Sequence, residues 1–267
     1  MQQAAGLYHL ATGPRVKWLA DDLLEIDKQK FRIAYHWGEW DEVPPSTADL
    51  FVLLKPQHML DDYLRRFRRQ RPKTIVEVGV YQGGGAAMLW QLCRPQTLVG
   101  IELAAEPAPA LVAYKEQHHA DGMRLHWGTN QADVPTVLDI VRRELGDEPL
   151  DLVIDDASHV YDLTRTTFET LFPRVRPGGT YVIEDWGWAH WRGAPWQVDN
   201  GPFGSEPALS NLIFEIVMAA ASTPELVEAV DVRHHHAVIT RGPAPVGPPV
   251  VLSELYEARG VAFKPSL

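Results

Sequence analysis

The chain has 267 residues, 45% of them hydrophobic, with a single cysteine and a formal net charge of −10. That length suits one large α/β domain with additions and leaves no room for a second full domain. The acidic balance argues against a nucleic-acid partner, which needs a basic stripe, and the lone Cys93 rules out an intrachain disulfide framework. No run approaches the ~20 apolar residues of a membrane span, and no basic segment followed by an apolar core opens the chain, so a cytoplasmic protein with no membrane contact is expected.

Residues 1–72 carry no recognisable motif and read as an N-terminal extension with its own aromatic cluster, Tyr35, Trp37 and Trp40. This extension is expected to cover the active site or to form an interface, which makes a homo-oligomer the expected state. The one basic cluster, Arg65, Arg66, Arg68, Arg69 and Arg71, alternates with Leu64 and Phe67 on a short amphipathic helix and reads as a solvated or subunit-facing surface.

From residue 73 strand and helix signals alternate, which is the signature of a doubly wound parallel sheet. Strands are expected over 74–79, 98–103 and 123–128, and helices over 84–92, 108–118 and 134–145. Cys93 ends an apolar run and is expected to be buried on a helix. The first strand-to-helix turn runs Glu77-Val78-Gly79-Val80-Tyr81-Gln82-Gly83-Gly84-Gly85, where glycines allow backbone to approach a ligand at a helix N-terminus. Its Gly79-x-x-x-Gly83 spacing departs from the dinucleotide fingerprint Gly-x-Gly-x-x-Gly and disfavours a dehydrogenase. Glu102 closes the next strand, at the place from which an acid holds ribose hydroxyls in nucleotide-binding α/β folds. Glycine turn and acid together, in this order, point to an adenosine-containing cofactor.

The most informative stretch spans residues 150–186, where Asp155-Asp156 and Glu184-Asp185 each close an apolar strand-like run. Between them residues 161–172 show helical spacing, so the whole is a βαβ unit. If the two strands are neighbours, their ends lie about 5 Å apart and both acidic pairs emerge at the carboxyl edge, where ligands bind. Carboxylates that close raise one another's pKa unless a cation sits between them, and hard oxygen donors suit Mg²⁺ before Mn²⁺ or Ca²⁺. The bland alternative is one pair capping a helix and the other solvated at a strand end. His159, three residues after Asp156, lies in the loop leaving the same strand and could take a proton from a hydroxyl acidified by the metal.

Trp186, Trp188, Trp191 and Trp196 crowd the Gly- and Pro-rich loop after the second acidic pair, either to pack against a sugar or planar acceptor or to form subunit packing. His234-His235-His236 reads as structural, on a terminal hairpin strand, because successive strand residues point to opposite faces.

Over residues 73–241 the chain resembles the class I S-adenosylmethionine-dependent methyltransferases. The motifs Ile154-Asp155-Asp156-Ala157-Ser158-His159 and Pro177-Gly178-Gly179-Thr180-Tyr181-Val182-Ile183-Glu184-Asp185 are similar to those of the metal-dependent sugar O-methyltransferases of macrolide antibiotic biosynthesis. The resemblance implies a Rossmann-like, mostly parallel seven-stranded sheet with a C-terminal antiparallel hairpin, forming an S-adenosylmethionine-binding domain over 73–267. It further implies that Gly79, Tyr81 and Gly83 line the cofactor, that Glu77 supports its methionine portion, and that Glu102 receives the ribose. Asp155 would lie beside the cofactor. Gln131, in a Gly128-Thr129-Asn130-Gln131-Ala132-Asp133 loop one residue longer than its family counterpart, would approach adenine. Asp156, Glu184 and Asp185 would hold Mg²⁺, and His159 would be the general base. The implied activity is methyl transfer to a hydroxyl of a small-molecule acceptor, a sugar or other natural-product intermediate. The alternatives are a catechol-like acceptor, or a methyltransferase fold that binds the cofactor for cyclisation or regulation.

Overall fold

Every side chain of the strand β5 (Thr74–Val78) is buried, as a strand covered on both faces requires, and the rest of the main sheet is built outward from it. The structure, a computed structural model, describes residues 13–34, 43–193, 196–197 and 204–266. The aromatic cluster Tyr35, Trp37 and Trp40 lies outside the described residues.

The helices and strands after β5 are α2 (Gly84–Cys93), β6 (Thr97–Ile101), α3 (Pro109–Gln117), β7 (Met123–His126), α4 (Val134–Leu145), β8 (Leu150–Asp155), α5 (Tyr161–Leu171) and β9 (Val175–Glu184). The expected elements between 74 and 145 form within two residues of their expected ends. Beyond them come α6 (Ser210–Ser222), β10 (Val227–Val232) and β11 (His236–Arg241). The seven strands lie in the order β10-β11-β9-β8-β5-β6-β7, parallel from β9 to β7, with β11 antiparallel to both its neighbours. This is the doubly wound sheet with a terminal antiparallel hairpin.

One boundary differs from expectation. Pro177-Gly178-Gly179 does not precede the strand but lies inside β9, whose pairing jumps from Leu150↔Val175 to Leu152↔Thr180. The extra residues form a bulge, the context in which a proline and a positive-φ glycine (Gly178, φ 71°) are tolerated in a strand.

The N-terminal residues form a sheet of their own, β1 (Val16–Ala20), β2 (Leu23–Ile26), β3 (Gln29–Ile33) and β4 (Leu50–Leu53), followed by α1 (Gln57–Gln70). Leu24, Ile26, Phe31, Phe51 and Leu53 pack with Leu89, Leu111 and Tyr114 of α2 and α3 in one apolar core. Phe51 meets the Tyr114 ring edge-on at 5.4 Å. On α1, Met59, Leu60, Tyr63, Leu64 and Phe67 face this core while Arg65, Arg68 and Arg69 are exposed, as the amphipathic pattern requires. Cys93 is buried at the end of α2.

The strand ends away from the site are fastened by Asp151. Its carboxylate accepts hydrogen bonds from the amides of Lys73 (2.6 Å) and Thr74 (3.1 Å) and from the Arg176 guanidinium. Burial acts to raise this carboxyl, but the bonds from Arg176, Lys73 and Thr74 outweigh it and hold the pKa below the usual aspartate value. Its contribution is therefore complete above the ordinary aspartate range and lost as pH falls through the depressed native value. Asp151→Ala is expected to cost about 2 kcal/mol in urea unfolding at neutral pH, and the gap to the wild type should shrink as the pH is lowered into the acid range.

Candidate active site

Parallel register brings the acids together. Val78 pairs with both Ile101 and Asp155, and Asp155 pairs with Ile183, so the ends of β6, β5, β8 and β9 lie at one carboxyl edge. Glu184 ends β9, and just past the strand ends come Glu102, the glycine turn, Asp156 and Asp185. Gly79 adopts φ 89°, and a Cβ there would stand 2.1 Å from the Asp156 carbonyl oxygen, so only glycine lets the two loops meet. Two cavities of about 250 and 260 Å³ open along this edge and share a wall of Gly79, Tyr81, Asp156 and Ala157. The first also touches Lys55, Glu77, His159, Asp185, Trp191 and Trp196; the second touches Ile101, Glu102, Leu103, Thr129, Asn130 and Gln131.

Lys55, from the N-terminal segment between β4 and α1, drives its ammonium into the acidic cluster. Its Nζ is 2.7 Å from Asp156 Oδ2 and bonds Glu184 Oε2, while Tyr63 Oη donates to Glu184 Oε1 at 2.8 Å. Burial alone would lower the Lys55 pKa, but Asp156 and Glu184 hold it above the ordinary lysine value, so it stays charged. The remaining carboxyls are crowded. Burial, then the neighbouring Asp156, pushes Glu184 up to about 8 against the pull of Lys55, and the same two causes push Asp185 up to about 7.

His159 lies across from Asp156, with Nε2 3.9 Å from Oδ1. Burial lowers its pKa and the Lys55 charge adds to that, against the opposing pull of Asp156, so the imidazole is neutral near pH 7 and can accept a proton. Its backbone is held at φ 56° and its carbonyl accepts a hydrogen bond from the Trp188 indole at 2.9 Å. Tyr81 and Asp185, at φ 50° each, share this left-handed conformation, which costs a non-glycine residue about 1 kcal/mol or more. Asp156, His159 and Asp185 each offer a ligand atom within 4.8 Å of the other two. That set suits a hard divalent cation, which needs only one or two protein carboxylates and keeps several waters. Glu184, the third acid of the expected ligand set, stands beside them with both oxygens already accepting from Lys55 and Tyr63.

The expected cofactor residues divide into cavity walls and supports. Glu77 is buried beside Gly85, its Oε2 without a hydrogen-bond partner among the described residues, and its pKa is raised well above normal by burial. A buried acceptor left open at a cavity wall fits a ligand ammonium. Glu102 accepts from the amides of Val80, Tyr81 and Ala104 and so holds the glycine turn as well as lining the second cavity. Tyr81 is exposed over the shared wall. Gly83 turns to Leu111, which a Cβ would meet at 2.6 Å, and Gly84 and Gly85 take its expected place on the wall. Gln131 lines the second cavity, but its amide is used by Thr167 Oγ1 (2.9 Å) and Ser158 N (3.0 Å), which fixes the loop carrying His159. Asp155 directs its carboxyl to Tyr181 Oη at 2.9 Å, and burial pushes it up to about 8.

Of the tryptophans, Trp188 and Trp191 are buried, and Trp191 and Trp196 meet edge-on at 5.2 Å on the first cavity's wall. Of the histidines, His236 begins β11 and pairs with Asp62 at 3.0 Å, whereas His234 and His235 lie in the bend before it, where strand alternation does not apply. Lys55 and Tyr63 escaped the sequence reading. The available signal was a lysine closing the apolar run 50–54, the same placement that singled out the acids.

Residues 76–186 match a family model described as a methyltransferase domain. Mycinamicin VI 2''-O-methyltransferase of Micromonospora griseorubida is 34% identical over 145 residues, 52% of this chain and 33% of that protein. Demethylmacrocin O-methyltransferase of Streptomyces fradiae is 32% identical over 147 residues, 53% of this chain and 34% of that protein. The chain thus spans about a third of the length of these curated relatives. Among solved structures, the MycE methyltransferase of the mycinamycin biosynthetic pathway, in complex with Mg, SAH and mycinamycin VI, superimposes with a TM-score of 0.51 at 27% identity, covering 68% of this chain and 49% of that one. The glycine turn, the two acidic pairs and His159 all fall within residues 76–186, the part of the chain that is similar to a methyltransferase domain and, with its surroundings, to part of these macrolide-sugar O-methyltransferases.

Proposed function

We propose that the chain is an S-adenosylmethionine-dependent O-methyltransferase, assisted by Mg²⁺, acting on a hydroxyl of a small-molecule acceptor such as a sugar of a natural product. The observation that carries this reading is the convergence of Asp156, His159 and Asp185 on a cavity that shares its wall with a second one bordered by Glu102. The open Glu77 Oε2 supports a ligand amino group at the wall of the first cavity, and Glu102 supports ribose hydroxyls in the second.

When bound, the metal lowers the pKa of an acceptor hydroxyl and the cofactor presents an electrophilic methyl. Asp156 and Asp185 would hold the ion, with Glu184 held against them by Lys55 and Tyr63. His159 Nε2 takes the hydroxyl proton, and the fixed placement of the two cavities aligns oxygen and methyl; such orientation supplies several kcal/mol of barrier lowering. Trp191 and Trp196 give the acceptor an apolar wall against which a sugar face can pack. The same reading includes a homo-oligomer, supported by Phe214 and Val217 exposed on one face of α6, and a cytoplasmic setting, supported by the free thiol of buried Cys93. Among the described residues no helix is long and apolar enough to cross a membrane.

Isothermal titration of S-adenosylmethionine and then Mg²⁺ tests the assignment. Wild type should bind both, Asp156→Ala should keep the cofactor signal and lose the metal signal, and absence of cofactor binding by the wild type would sink the reading. His159→Ala should leave cofactor affinity unchanged and lower turnover of an accepted diol by about 10²-fold or more; unchanged turnover would remove it from the base role. Lys55→Met strips a buried carboxylate pair of its partner and should cost about 3 kcal/mol of stability without metal. Millimolar Mg²⁺ should then raise the melting temperature of Lys55→Met more than that of the wild type, since the divalent ion compensates the lost ammonium.

A further inference from the structure

Outside the carboxylate site, three imidazoles meet where α1 touches the β10–β11 bend. His58 lies on the first turn of α1, and His234 and His235 come from the bend. One nitrogen of each ring is within 4.8 Å of those of the other two, and His234 Nδ1 already stands 2.8 Å from His235 Nε2. The rings pack at centroid distances of 5.0 Å (His58 with His235) and 4.2 Å (His234 with His235). Ring packing could be served by any aromatic residues; convergence of the nitrogens is what requires histidine.

We infer that His58, His234 and His235 form a site for a borderline transition-metal ion of the Zn²⁺ class, distinct from the Asp156–Asp185 cation site. Three neutral imidazoles with a water in the fourth position are an established zinc donor set, and bonds of 2.0–2.1 Å put the nitrogens of a tetrahedral site about 3.3 Å apart. The His234–His235 pair would therefore open slightly from 2.8 Å, while the contacts to His58 stay within the 4.8 Å limit or close from it. His235 is the buried member of the three, and its Nε2 is the nitrogen that meets His234. The second nitrogen of the same ring, His235 Nδ1, has a carboxylate nearby, Asp185 Oδ1 at 3.9 Å, beyond hydrogen-bond reach. Exposed His58 and His234 leave the entry path open to solvent. An ion here would tie the start of α1 to the β10–β11 bend, and so fix the segment that delivers Lys55 to Glu184. Imidazole donors favour Zn²⁺ over Mg²⁺, while the carboxylate site favours the reverse.

The test is a Zn²⁺ titration of the full chain, stripped of metal, against a chromophoric chelator in excess Mg²⁺. It uses the wild type, His58→Ala, His234→Ala and Asp156→Ala, with melting curves alongside. The wild type and Asp156→Ala should each take up one Zn²⁺, and each histidine variant should lose at least ~10-fold in affinity, the lower end of what removal of even an outer-shell partner costs. Zn²⁺ should raise the melting temperature of the wild type and leave that of His58→Ala unmoved. Because His58 and His234 are exposed, neither variant threatens the fold. No Zn²⁺ uptake, equal uptake in the histidine variants, or loss in Asp156→Ala alone would each overturn the inference. The outcome is independent of methyl transfer.

Discussion

The buried ammonium of Lys55 between Asp156 and Glu184 is the contact on which the site's geometry depends. Parallel strands deliver the acids to one edge whether or not their charges can coexist there, and burial of this depth makes each uncompensated carboxylate expensive. One fixed cation lets Glu184 and Asp156 share the space, and Tyr63 occupies the other Glu184 oxygen. Among the described residues no side chain donates a hydrogen bond to the Asp185 carboxylate, which has only the His235 ring at 3.9 Å and faces the cavity with His159. The division is chemical: one acid of the second pair is locked by protein donors, and the other is available to a ligand.

That arrangement ties the N-terminal segment to the seven-stranded sheet. Lys55 can reach the cluster only because β4 ends in Leu53 against the core and α1 begins immediately afterwards. Tyr63 and Asp62 on α1 reach Glu184 and His236, on β9 and β11, so the helix is bonded to the antiparallel side of the sheet as well as buried on it. Placement of the acidic site thus rests on residues that the matched domain, 76–186, does not contain.

How much of this was legible in the sequence depended on whether a signal was local. β5 to β9 and their helices were readable because apolar runs, glycines and strand-closing acids recur at short spacing. The convergence of Asp156, His159 and Asp185 followed from one assumption, that β8 and β9 are neighbours, and the register bears that assumption out. The small N-terminal sheet was not legible, because its strands are only four or five residues long and β4 pairs in parallel with β3 across a long connection. Lys55 was missed for the same reason: its partners are more than a hundred positions away. Gln131 and Asp155 were expected from the family resemblance to face the cofactor, yet pairing with Thr167, Ser158 and Tyr181 turns their polar groups toward protein, a choice set by side-chain neighbours that no spacing encodes. The histidine run was read as strand, and strand alternation does not reach the bend that holds His234 and His235.

The left-handed backbone of Tyr81, His159 and Asp185 also bears on how this protein can drift and be redesigned. A glycine at any of the three would relax the chain, so a search for stability alone would be drawn to these positions. Each substitution would remove a side chain that borders the first cavity. Conformational economy and chemical competence therefore pull in opposite directions at three loops of one sheet edge, and a thermostabilised descendant that kept its chemistry would have to gain its stability elsewhere.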